Sequence, residues 1–233
     1  MTDGPFSRTE SLLGPEGIQK LQQSTVAVFG LGGVGGSCAE TLARFGVGRL
    51  ILVDHDRVQL SNLNRQVIAL YSTLGQLKTE ATGARLRDIN PAVRLDLCPV
   101  FYNRKTADSV PLDAADAVID CVDTLEAKLL LAEKAQAGSF ILLSAMGAGN
   151  RQDPLRFRFA DIYQTQVCPL ARRMRKACRE RGIQRLRVLY SDEEPMPLNI
   201  KNASSRPTPG TLSHVPPVAG MALAGEAIRL LLG

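Results

Sequence analysis

A chain of 233 residues, 45% hydrophobic and with a formal net charge of +5, has the size and composition of one large soluble α/β domain. Its polar, acid-containing start MTDGPFSRTE leads us to expect no targeting signal, and an apolar tail interrupted by Glu226 and Arg229 reads as a packed helix rather than a membrane span. Five cysteines without a C-x-x-C pair and only two histidines argue against structural zinc and for reduced thiols in the cytoplasm.

In chain order, residues 14–23 read as a short leading helix. T-V-A-V-F-G, Thr25 to Gly30, is β-branched and apolar throughout, as a buried parallel strand requires. A glycine-rich turn follows, then a helix from Ser37 to Phe45 stopped by Gly46 and Gly48, then a strand from Arg49 to Asp54. Further on, the pattern predicts a helix over 78–90, a strand over 94–100 and a short helix over 106–110. A buried strand over 115–123, a helix over 125–137 and a strand over 140–145 complete the regular part. Such alternation specifies a Rossmann-like, mainly parallel sheet with helices on both faces, within one domain spanning 1–233. Beyond Gly147 the regularity fades. The stretch 172–187 holds Arg172, Arg173, Arg175, Lys176, Arg179, Arg181, Arg185 and Arg187 against one acid, Glu180, a density suited to a polyanion such as RNA or to a solvated helix face. Prolines 195, 197, 207, 209, 216 and 217 make 194–217 a long, mobile crossover loop. A terminal helix over 218–232 closes the chain.

The turn Gly30, Gly32 and Gly35 in G-L-G-G-V-G fits G-x-G-x-x-G between a strand and a helix. Its glycines allow a tight turn, close backbone approach to phosphate and close helix packing, while free N–H groups at the helix start face the anion. Asp54 ends the second strand, where an acid bonds a ribose hydroxyl. A nicotinamide-dependent dehydrogenase shares these features. The segment after Asp54 points elsewhere. Arg65 and Lys78 add two cations where a triphosphate tail lies, Asn62 and Asn64 add neutral donors, and Asp120 and Asp123 stand at the carboxyl edge of the sheet, where Mg2+ is held beside phosphates. A carboxylate attacking an α-phosphorus needs such charge neutralisation.

The order G-x-G-G-x-G, D-x-D at Asp54 and Asp56, S-N-x-x-R-Q from Ser61 to Gln66, Lys78 and a late Asp123 resembles the E1-like (ThiF/MoeB) adenylating superfamily. The resemblance implies that Gly33, Asp54, Asn62, Arg65 and Lys78 contact ATP and that Asp123 is linked to Mg2+. It also implies that Arg8, in S-R-T-E-S-L-L-G, reaches the nucleotide of a second subunit in a homodimer. Over nearly the whole chain, F-S-R-T-E-S-L-L-G, S-A-M-G-A-G-N-R-Q-D-P-L, C-P-L-A-R-R-M-R-K, R-V-L-Y-S-D-E-E-P and G-T-L-S-H-V-P-P-V-A-G are similar to the tRNA threonylcarbamoyladenosine dehydratase branch. That branch implies ATP-dependent cyclisation of the threonylcarbamoyl group in tRNA, with Arg172, Arg173, Arg175, Lys176 and Arg179 against the RNA and sulfur-relay proteins as further partners. Where the branch has Asp-Pro-Leu this chain has Cys168-Pro169-Leu170. The alternative is therefore adenylation of the C-terminus of a ubiquitin-like or sulfur-carrier protein, with Cys168 as a thioester or persulfide cysteine. A scaffold that binds ATP without turnover is a third reading, which Arg65, Lys78 and Asp123 disfavour.

Overall fold

The computed structural model describes residues 4–138, 140–198 and 209–233. Its strands are β1 (Thr25–Phe29), β2 (Arg49–Val53), β3 (Arg94–Cys98), β4 (Ala117–Asp120), β5 (Ile141–Ala145), β6 (Phe157–Asp161) and β7 (Arg187–Ser191). The helices are α1 (Ser7–Gln23), α2 (Gly33–Phe45), α3 (Lys78–Ile89), α4 (Leu125–Gln136), α5 (Pro169–Glu180) and α6 (Val215–Leu232). One sheet runs in the order β3-β2-β1-β4-β5-β7-β6. All its pairings are parallel except β6 with β7.

β1 is buried along its whole length, as its uninterrupted apolar run demands of a strand covered on both faces. One face of the sheet packs Ala27, Phe29 and Ile51 against α4 and α5. The other packs Val26, Val28 and Leu50 against α2 and α6. The chain goes from β1 to β2 on one side and later returns to β4 on the other. β1 and β4 therefore flank the point where strand order reverses, and a crevice opens beyond their carboxyl ends.

Several boundaries differ from those expected. The helix expected over 14–23 is the second part of α1; Gly14 (φ 71°) kinks the helix just before Pro15, and a further helical part runs ahead of the kink from Ser7. The short helix expected over 106–110 is one 3-10 turn, Ala107–Ser109. Past Gly147, β6, α5 and β7 restore order. Both strands are five residues long and carry arginine, so neither shows an apolar run, and their pairing with each other comes from contacts distant in sequence. In the loop expected over 194–217, residues 194–198 and 209–214 are neither helix nor strand. Pro207 and the rest of 199–208 lie outside the described residues.

α6 begins at Val215 and is, by length and apolarity, sufficient to cross a membrane. Here it packs on α2 with half of its length buried. A Cβ placed on Gly220 would lie 2.1 Å from the Val34 carbonyl oxygen. Only glycine permits that approach, which brings Pro216 against Gly33 at the mouth of the glycine turn.

Candidate active site

A cavity of about 310 Å³ occupies the crevice, lined by residues that follow β1, β2, β3 and β4. Gly30 turns the chain at φ +80°. A Cβ on Gly35 would sit 1.8 Å from the Gly30 carbonyl oxygen, so α2 closes directly onto the turn. Gly32 and Gly33 line the cavity with α2's amino end beside them, whereas Gly35 is buried beneath it. The lining glycines let a phosphate approach the backbone, and Gly35 makes the turn possible.

Asp54 holds the turn to the end of β2. One carboxylate oxygen accepts the Leu31 N–H at 2.6 Å and the other accepts the Asp56 N–H at 2.8 Å. A carboxylate has about four lone-pair sites, so both oxygens can still accept a ribose hydroxyl. Lys78, at the start of α3, is buried with its Nζ 2.7 Å from Asp56 and 3.8 Å from Asp54. Arg65 is half-buried on the cavity wall. Its Nη1 donates to the Ser61 carbonyl and to Asn64 Oδ1, both at 2.8 Å, and among the described residues it has no carboxylate partner. Asn62 is buried in the lining, where its Oδ1 accepts the Gln59 N–H. Asn64, expected to bind nucleotide, is instead outside the lining. Its amide donates to the Thr211 carbonyl at 3.1 Å and ties the return segment to this loop.

Asp123 lines the cavity and is exposed, with no ion pair among the described residues. Asp120, placed by its strand-end position beside a metal, faces the interior instead. It is completely buried and accepts from Lys128 Nζ at 3.0 Å and Ser144 Oγ at 2.5 Å. Lys128 also donates to the Ala145 carbonyl at 2.6 Å, so the inner ion pair joins β4, α4 and β5 under the cavity floor. Asp54, His55 and Asp56 also bring three ligand atoms within 4.8 Å of one another. Lys78 pairs with both carboxylates of that group, whereas Asp123 has no ion pair among the described residues.

Sequence reading missed the apolar half of the pocket. Phe29, Val53, Val100, Phe101, Tyr102 and Ala127 form a wall suited to a base. Phe101 meets His55 edge-on at 4.8 Å, and Tyr102 meets Phe29 at 4.7 Å. Burial, then the charge of Asp108, pushes the Tyr102 phenol up to about 12. It therefore remains a donor, and its hydroxyl and Gln66 Oε1 are buried with no hydrogen-bond partner among the described residues. The Phe101-Tyr102 pair follows β3 and has no motif spacing that would reveal it.

A second cavity, about 420 Å³, adjoins the first and shares Cys121, Val122 and Asp123 with it. Its walls come from the segment after β5, the start of α5, and Pro195 and Pro209. Cys168 lies in this wall, 2% exposed. Burial, followed by the Asp120 charge, pushes the Cys121 thiol well above its ordinary range, which favours the thiol over the more nucleophilic thiolate.

The basic segment divides in the structure. Ala171, Met174 and Cys178 bury one face of α5, leaving Arg172, Arg173, Lys176 and Arg179 exposed. Arg179 lies over the Tyr163 ring and Lys176 is 3.8 Å from Glu180. Arg175, expected against RNA, turns inward and donates to the carbonyl and hydroxyl of Thr165. Arg181 pairs with Glu126 and Glu133, and Arg187 with Glu226. Arg8 is exposed on α1 and is not among the residues lining its own chain's nucleotide cavity.

The chain matches the ThiF family over residues 6–233. It is 40% identical over 239 residues to tRNA threonylcarbamoyladenosine dehydratase of Bacillus subtilis, covering 97% of this chain and 94% of that protein. Two crystal structures of E. coli tRNA N6-threonylcarbamoyladenosine dehydratase, one in complex with ATP and one with AMP, superpose with a TM-score of 0.89 at 27% identity. Both cover 98% of this chain, and the chain spans 93% and 94% of theirs respectively.

Proposed function

Because the chain belongs to the ThiF family, we propose that it catalyses the ATP-dependent cyclisation of threonylcarbamoyladenosine in tRNA. The observation that carries this reading is the continuity of three features. A nucleotide cavity bearing Arg65, Lys78 and Asp123 shares Cys121, Val122 and Asp123 with a second cavity, and that cavity is walled by the start of a basic helix. Nucleotide, modified nucleoside and RNA backbone each have a surface of matching chemistry.

In this mechanism the glycine turn and α2's amino end receive the phosphates, Asp54 the ribose, and the wall of Phe29 and Tyr102 the base. An oxygen of the threonyl carboxylate attacks the α-phosphorus and pyrophosphate leaves. Arg65 and Lys78 stabilise charge on the phosphates as it shifts to the leaving group. Asp56 keeps Lys78 aimed into the cavity. Asp123 would hold Mg2+, which neutralises phosphate charge when bound. A nitrogen of the same threonylcarbamoyl group then attacks the activated carbonyl carbon, AMP departs, and a proton is released as a five-membered ring closes. The tRNA product has lost one water. Because the nucleophile is intramolecular, its high effective concentration makes an acyl-carrier protein unnecessary. We extend the reading to a homodimer, in which Arg8 reaches the partner's nucleotide. Cytoplasmic location fits a reaction on tRNA and five free cysteines.

Incubation with ATP and threonylcarbamoyladenosine-bearing tRNA tests the proposal. AMP should appear with a nucleoside lighter by one water. No AMP release from the modified tRNA, or pyrophosphate exchange with a Gly-Gly-tailed carrier protein instead, overturns it.

Salt dependence tests the role of α5. Each phosphate contact contributes roughly 0.7–0.9 to the slope of log affinity against log salt. Arg172→Ala with Arg173→Ala should therefore reduce the slope for tRNA by roughly 1.4–1.8, measured by filter binding, while AMP release at saturating tRNA is retained.

A further inference from the structure

Arg151 is 3% exposed and lines the second cavity. Its Nε and Nη1 are fully buried and have no hydrogen-bond partner among the described residues. No described carboxylate forms an ion pair with it. Other enclosed charges in this protein are compensated: Lys128 by Asp120, Lys78 by Asp56, and Glu226 by Arg187 and Arg229. A guanidinium withdrawn from water without a counter-ion is costly in a folded chain. Such a group marks a receptor for an anion brought from outside.

Its position is held by the preceding residue. Asn150 adopts a left-handed conformation, φ 57°, which asparagine tolerates better than most residues. Its N–H donates to the Gly210 carbonyl, its Oδ1 accepts the Gly210 N–H, and its carbonyl accepts the Met196 N–H. Both flanks of residues 199–208 thus converge on the residue before Arg151. Across the cavity, Leu170 and Ala171 at the start of α5 have N–H groups with no intrahelical acceptor, as any helix start does.

The surroundings identify the anion. Val34, Val122, Met146, Ala148 and Leu170 make the cavity largely apolar, unlike a groove for a phosphodiester backbone, whereas the exposed cations of α5 lie outside it. One planar guanidinium in an apolar enclosure matches one planar carboxylate, which it grips with two parallel hydrogen bonds. We propose that Arg151 binds the amino-acid carboxylate of the modified nucleoside and holds it at the boundary with the nucleotide cavity, by Asp123. This assignment rests on the proposed function and names the residue that recognises the group to be activated.

Arg151→Met and Arg151→Lys test it. Wild-type protein should bind threonylcarbamoyladenosine tRNA more tightly than the same tRNA lacking the modification, and Arg151→Met should erase that difference. Its kcat/KM for modified tRNA should fall on the order of 10²-fold or more, the expected effect of truncating one side of a buried charge pair. The KM for ATP should stay unchanged, and Arg151→Lys should recover part of the discrimination. Without ligand, Arg151→Met should melt no lower than wild type, because it removes an uncompensated charge. A much lower melting temperature, retained discrimination, or a raised KM for ATP overturns the assignment. Wild-type AMP release with an equally active Arg151→Met variant sinks this inference alone, whereas a wild type inert on modified tRNA sinks the proposed function beneath it.

Discussion

Arg65→Ala should lower the rate of AMP release from ATP and modified tRNA by roughly 10²–10³-fold, the typical loss when one preorganised donor to developing charge is removed. The guanidinium is held by its Nη1 bonds to Ser61 and Asn64 while the rest lies along the cavity wall. It is aimed before substrate arrives, so little reorganisation is needed in the transition state. Those anchoring bonds are near the surface, so the melting temperature should change little. Arg65→Lys should restore only part of the rate, because an ammonium on a flexible stem cannot reproduce the planar fork. Single-turnover AMP release with the melting curve beside it is the measurement. Full activity in Arg65→Ala would remove this residue from the chemistry.

Lys128→Met should cost stability directly. It leaves Asp120 fully buried without its cation, and breaking a buried pair from one side costs about 3–5 kcal/mol. For a domain of this size, each kcal/mol lowers the melting temperature by roughly 2–4 °C, so a fall of roughly 6–20 °C is expected. Asp120→Asn combined with Lys128→Met should recover part of the loss, since the remaining amide can hydrogen-bond Ser144 without a buried charge. The network lies directly below Cys121 and Asp123, so the single variant should also weaken ATP binding. Thermal unfolding of both variants with and without ATP separates the two effects. A single variant that melts with the wild type would show that Asp120 has another partner.

How much could be read in advance depended on the range of the interactions. The β1–turn–α2 unit was legible because its determinants are local. An apolar run, glycines at fixed offsets and a helix start all lie between Thr25 and Phe45. Lys78 and Asp123 were legible as motif members, and both line the cavity with Arg65. The internal partners of Asn64 and Arg175 were not legible, because composition cannot say which way a side chain turns. Thr211 claims the first and Thr165 the second. Asp120 and Asp123 illustrate the limit most sharply. They are three positions apart, yet one is locked at the end of β4 under the cavity floor and the other faces the cavity.

From the sequence alone come a parallel α/β sheet, a glycine turn for phosphate, the cations and acid of an adenylating site, and a basic segment downstream. Each arises from a short-range pattern that backbone geometry converts into structure. Only the tertiary structure decided which cations lack an ion pair among the described residues, that Phe29 and Tyr102 form an apolar wall, that a second cavity adjoins the first at Cys121 to Asp123, and that Arg151 stands there without a described partner. Burial and pairing depend on which elements meet. In this chain the strand order brings residues 29, 65, 102, 123 and 151 to one edge of a sheet, a proximity that no spacing along the chain encodes.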